Sequence, residues 1–125
     1  MFGHIFISTD SATQPLEDFA RRLFSRLGVA HFEERESSNY VEGHYFRGVA
    51  VGIEVTVAYA DEQGLQDYRF WVLLEPEPPG IQDGHYLHEH AHTLAHLFSQ
   101  HGWRCFVPDD FTTVSGDHEG KIYAA

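Results

Sequence analysis

A single cysteine, Cys105, stands in a chain of 125 residues. No internal disulfide can form, and a reducing compartment is the expected setting. Basic residues are scarce too: 8 Lys and Arg face 19 Asp and Glu, a formal net charge of −11 with histidines neutral. Such a surface repels phosphate backbones and anionic headgroups, which weighs against nucleic acid and membranes as partners. It would attract a basic protein or a cationic ligand. No apolar run approaches the roughly 20 residues a membrane helix requires. The opening MFGHIFISTDSA has no basic residue before Arg21, so no signal peptide is expected and a cytoplasmic location follows.

Catalytic spellings are also missing. Ser8, Ser11, Ser37 and Ser38 lie outside any G-x-S-x-G elbow. The stretch GVAVG leads from one strand pattern into another rather than into a helix, so it is no phosphate loop. Cys105 sits between Arg104 and Phe106 with no helix start to activate it, and reads as a buried structural thiol.

What is present is enough for a core. Leu, Ile, Val and Phe make up 33 of the 125 residues, about a quarter, above the level of roughly a fifth that marks disorder. FGHIFIST predicts a first strand. In PLEDFARRLFSRLG, Leu16, Phe19, Ala20, Leu23, Phe24 and Leu27 recur at spacings that share one helical face. Pro15 suits the first turn and Gly28 the left-handed closing position. From Val29 the period changes to two. VAHFEERESS is an edge strand or loop, and NYVEGHYFRG and GIEVTVAYAD form an antiparallel pair turning around GVAVG. YRFWVLLE, apolar on both faces apart from Arg69, predicts a central strand. PEPPGIQDG breaks the sheet, Asp83 and Gly102 bracket a second helix, and WRCFVP is a last short strand. The order is β-α-β-β-β-β-α-β. It predicts an α+β fold, a two-layer sandwich of two helices on a mostly antiparallel sheet of about five to six strands. Residues 1–125 form one domain, with 109–125 as a loosely ordered tail.

The second helix, DGHYLHEHAHTLAHLFSQHG, contains His88-Glu89-His90-Ala91-His92, the H-E-x-x-H spelling of a zinc hydrolase. Histidines four apart share a helical face and can chelate one ion, with the intervening Glu as general base. The metzincin continuation fails, because Ala95 and Phe98 stand where glycine and histidine are needed. On a helical wheel at about 100° per residue, Leu87, Ala91, Leu94 and Phe98 mark the core side. His85, His88, His92 and His96 gather opposite, facing water, while His90 and His101 lie nearer the core. The stripe is then a solvated face, a metal-binding or pH-sensitive contact surface, or a zinc site, in descending order of support. No cofactor, metal or catalytic residue is assigned.

The stretch SNYVEGHYFRGVAVGIEVTVAYADEQGLQDYRFWVLLEP, with its YFRGVAVGIEV, its Tyr59-Ala60-Asp61 and its DYRFWV, resembles the middle of small immunity proteins of bacterial contact-dependent inhibition and related polymorphic toxin systems. The likeness spans about a third of the chain and carries no chemical motif. It implies a cytosolic, non-enzymatic antidote, a monomer or weak homodimer, that binds and neutralises one cognate, basic toxin domain. The expected contact surface is acidic: Glu33, Glu34 and Glu36, with Asp61, Glu62 and Asp67 at strand ends. The alternative is a small zinc-dependent hydrolase built on His88, Glu89 and His92.

Overall fold

The structure, a computed structural model, describes residues 3–11, 13–50, 52–62, 64–65, 67–76, 85–109 and 119–124. The first strand, β1 (Gly3–Ser8), buries Ile5 and Ile7. Helix α1 (Leu16–Arg26) begins directly after Pro15, whose ring presets φ at −66°. Glu17 and Asp18 in its first turn and Arg26 in its last complement the helix dipole. Its end is a Schellman motif: Gly28 N–H donates to the Ser25 carbonyl and Val29 N–H to the Phe24 carbonyl. That closure needs the left-handed φ of +73° that Gly28 supplies.

Four strands follow, β2 (Phe32–Glu36), β3 (His44–Ala50), β4 (Ile53–Tyr59) and β5 (Phe70–Pro76), then helix α2 (His85–Ser99), β6 (Arg104–Pro108) and β7 (Gly120–Tyr123). The strand expected to begin at Asn39 starts later. Val41–Gly43 is a short 3-10 turn, with Glu42 at φ 59°. Among the described residues the strands form one antiparallel sheet in the order β2-β3-β4-β5-β1-β6-β7. The α+β class and antiparallel sheet are as expected, but the sheet has seven strands rather than five or six. The added strand is β7, four residues whose pattern shows only once β6 is there to pair with. Asp83 and residues 110–118 lie outside the described residues.

Alternation along each strand settles which face the helices cover. Ile5, Ile7, Val55, Val57, Phe70, Val72, Leu74, Cys105 and Val107 join the apolar stripes of both helices in one core. Helix α1 lies over β3 and β4, and α2 over β1, β5 and β6. Phe19 stacks on Phe70 with ring centroids 3.9 Å apart, and Phe24 on Phe32 at 4.7 Å. The approach of α1 to β3 is close enough that a Cβ at Gly48 would stand 2.8 Å from the Phe24 ring.

Among the described residues no helix covers the other face of the sheet. Phe6 and Phe106 on that face meet Leu65 and Tyr68 from the β4–β5 loop, with Ala60 and Trp71 against them. Ala60 N–H closes the loop onto the Arg69 carbonyl at 2.8 Å. This loop and the turn before β3 build the relief from which the candidate site is made.

Candidate binding cleft

The six acidic residues singled out in the sequence fall in two places. Glu33, Glu34 and Glu36 lie on β2, the outermost strand, and are exposed. Arg35 holds Glu33 at 2.7 Å, and this hydrogen bond, reinforced by the guanidinium charge, lowers the Glu33 pKa. Glu34 pairs with His44 Nδ1 at 3.0 Å across the strands. A charged row of this kind is the usual protection of a sheet edge, and Glu33 borders an open hollow of about 360 Å³ with Phe32, Arg47 and Val49.

Asp61, Glu62 and Asp67 belong to the β4–β5 loop and line a cleft of about 710 Å³. A fourth carboxylate, Glu42, enters from the turn before β3. Sequence reasoning missed it, because a lone glutamate in a turn carries no pattern, and only its chain conformation brings it to the loop. Leu65, Tyr59, Tyr68 and Val41 give the cleft apolar surface. Among the described residues Arg69 is the basic one that lines it, and it is committed elsewhere: its Nε donates to the Gln14 carbonyl at 2.9 Å, and its guanidinium lies 4.9 Å from the Tyr59 ring centroid. Arg104 on β6 stands beside the rim, bonded to Tyr68 and near enough to Asp67 to feel its charge. Tyr59 in turn accepts the Leu16 N–H at 2.8 Å, tying the cleft wall to the start of α1.

A smaller recess of about 160 Å³ opens from the same wall, sharing Val41, Tyr59, Asp61 and Glu62 and adding Phe6, Tyr40 and Trp71. Tyr40 stacks on Tyr45 at 4.4 Å, and its ring centroid is 6.3 Å from that of Trp71, the two planes inclined by 27°. Burial raises the Tyr40 pKa, and Tyr45 and the carboxylates of Glu75 and Glu54 raise it further. Glu54 and Glu75 are direct cross-strand partners. Arg47 grips Glu54 with two bonds of 2.6 and 3.0 Å, while burial and Glu54 raise the pKa of Glu75. Trp71 is held from behind: its indole N–H donates to His4 Nδ1 at 3.2 Å, and the two rings are parallel within 2°. Burial, then the proximity of His88, lowers the His4 pKa to about 4, so the imidazole is the neutral acceptor this bond requires.

The histidine helix differs from the wheel. His88 and His92 do come together, ring centroids 5.0 Å apart. Yet they are half-buried rather than turned to water, and His101 is exposed. His96 faces water as expected, and for His92 the reason is β7, which lies along β6 and brings Tyr123 against it. Its hydroxyl meets His92 Nδ1 at 2.8 Å, and its ring is 6.1 Å from that of His96. Burial, then His88, lowers the His92 pKa. Glu89 is exposed, and among the described residues no three His, Cys, Asp or Glu side chains come together to hold a metal ion. The third protein ligand a hydrolytic zinc would need beyond His88 and His92 is therefore not supplied among the described residues, and the His85 side chain lies outside them. Cys105 is buried as expected, its thiol pushed up to about 12 by burial alone.

Compared with known proteins, the chain matches no family model, no curated protein and no solved structure. Among the described residues no helix is long and apolar enough to cross a membrane.

Proposed function

We propose that the chain is a non-enzymatic binding protein of the immunity type, which neutralises a basic bacterial toxin domain through the acidic cleft. One observation carries this reading. Four carboxylates from two separate turns, Glu42, Asp61, Glu62 and Asp67, line one cleft where Arg69, the one basic lining residue among those described, is already engaged. The net charge of −11 extends the same field around the molecule. Such a field steers a basic partner and raises its association rate, while the apolar surface beneath gives the contact a desolvated centre. Acting in the cytoplasm as a monomer or weak homodimer, the chain would cover a site built for phosphate with its own carboxylates.

The test is binding to the toxin domain encoded beside this chain, by calorimetry, with toxin activity as a second readout. Asp61→Lys, Glu62→Lys and Asp67→Lys together should weaken the complex by at least about a hundredfold, since close charge pairs across such interfaces couple by about 1.5 kcal/mol or more each. The edge triplet Glu33→Lys, Glu34→Lys and Glu36→Lys should cost far less. A complex indifferent to the cleft triplet, or no complex at all, removes this reading.

A further inference from the structure

The recess beside the cleft has a composition that the acidic cleft alone does not explain. Phe6, Tyr40, Tyr59 and Trp71 surround it, Asp61 and Glu62 stand at its border, and none of its lining side chains is basic. Aromatic faces attract cations through their quadrupole, and neighbouring carboxylates add to that field. At about 160 Å³ the space is below the roughly 300 Å³ at which sites for drug-sized ligands begin. It has room for the end of one side chain.

Geometry narrows the cation. Trp71 is inclined by only 27° to Tyr40 and 16° to Phe6. Near-parallel rings offer flat faces, which favour a planar guanidinium that stacks. A tetrahedral ammonium gains more from walls set at steep angles. The carboxylates of Asp61 and Glu62 can accept the in-plane N–H groups of a guanidinium stacked in this way. Among the described residues guanidiniums already lie over aromatic rings, Arg26 3.8 Å over Trp103 and Arg69 4.9 Å over Tyr59, and the Lys121 ammonium lies 5.0 Å over Tyr123. We infer that the recess is an arginine-side-chain pocket, stacking a guanidinium against Tyr40 and Trp71 with Asp61 and Glu62 as its counter-charges. The inference rests on the reading of the cleft as a surface for a basic protein, which would supply the arginine as an anchor residue.

Titration of the full chain with N-acetyl-arginine amide, followed by NMR of the Trp71 indole N–H, tests it. N-acetyl-citrulline amide, the neutral isostere, and tetramethylammonium serve as comparisons. The arginine compound should shift the Trp71 signal and leave that of Trp103 in place, binding about fivefold or more tighter than citrulline. Tyr40→Leu should lose a similar factor, Tyr40→Phe should keep most of the affinity, and Asp61→Asn should weaken it. Tyr40 lies outside the main core, and an unchanged far-ultraviolet spectrum would show that Tyr40→Leu folds. Equal responses to arginine and citrulline, a preference for tetramethylammonium, or no response of Trp71 overturns the pocket. A toxin domain that still binds the acidic cleft in that case leaves the broader reading standing, so the two failures are distinguishable.

Discussion

His4 shows how a single side chain can tie the open face of the sheet to stability. Its imidazole accepts the Trp71 indole N–H and is held neutral down to about pH 4 by burial, helped by His88. In the unfolded chain the same group takes a proton near 6.5. Between those values the unfolded state binds more protons, so stability is complete above pH 6.5 and falls as the pH drops towards 4. The loss should reach about 3 kcal/mol, from about 1.4 kcal/mol for each pH unit of the depression. Urea denaturation at pH 7 and pH 4.5 measures it. His4→Gln keeps an acceptor for Trp71 without a titrating group and should remove most of this slope. His92, lowered in the same direction, accounts for part of the remainder. A slope unchanged in His4→Gln would show that His4 is not the buried neutral group described. None of this was legible in the sequence, where His4 and Trp71 stand 67 positions apart and neither belongs to a pattern.

At the scale of elements, legibility followed the length of the repeating pattern. Helix α1 could be read from both ends because Pro15, six periodic apolar residues and Gly28 agree, and its Schellman closure bears out the glycine. The β3–β4 pair was likewise written in period-two alternation, and the central place of β5 in a run that is apolar on both faces. Strand β7 was not, because four residues cannot establish a period and their partner is distant in sequence. That one omission also misplaced His92, which Tyr123 meets from β7. The candidate site was half legible. Asp61, Glu62 and Asp67 stood out as an acidic loop, but their meeting with Glu42 depends on how two turns fold over the same sheet end. The helix–sheet spacing gives a sharper test. Gly48→Ala would set a methyl 2.8 Å from the buried Phe24 ring. The helix must yield, at about 1–3 kcal/mol as for other overpacked cores. Phe24→Leu in the same chain should recover part of that loss, a coupling that a double-mutant cycle in thermal or urea denaturation reads directly.

For the molecule as a whole, charge acts on folding and on binding with opposite signs in salt. The exposed pairs Glu17–Arg21, Asp18–Arg22 and Glu33–Arg35 are attractive, but solvent and side-chain entropy leave each of them weak and screening weakens them further. Against them stand 19 acidic residues sharing 8 basic ones, so repulsive neighbours outnumber attractive ones over the surface. Compacting the chain concentrates that excess, and salt relieves it. Raising the salt from about 10 to about 150 mM shortens the Debye length from about 30 to about 8 Å. That change should raise the melting temperature of the free protein measurably, despite the loss at the three pairs. The same change should weaken the complex with a basic partner, chiefly by slowing association, because the field that destabilises the free protein is the one that steers the encounter. Melting curves and stopped-flow association rates over one salt series measure the two trends together. A melting temperature that falls with salt would mean that the attractive pairs dominate. An association rate indifferent to salt would mean that the acidic surface does not guide the partner, and only opposite trends fit a surface whose charge serves binding at the expense of stability.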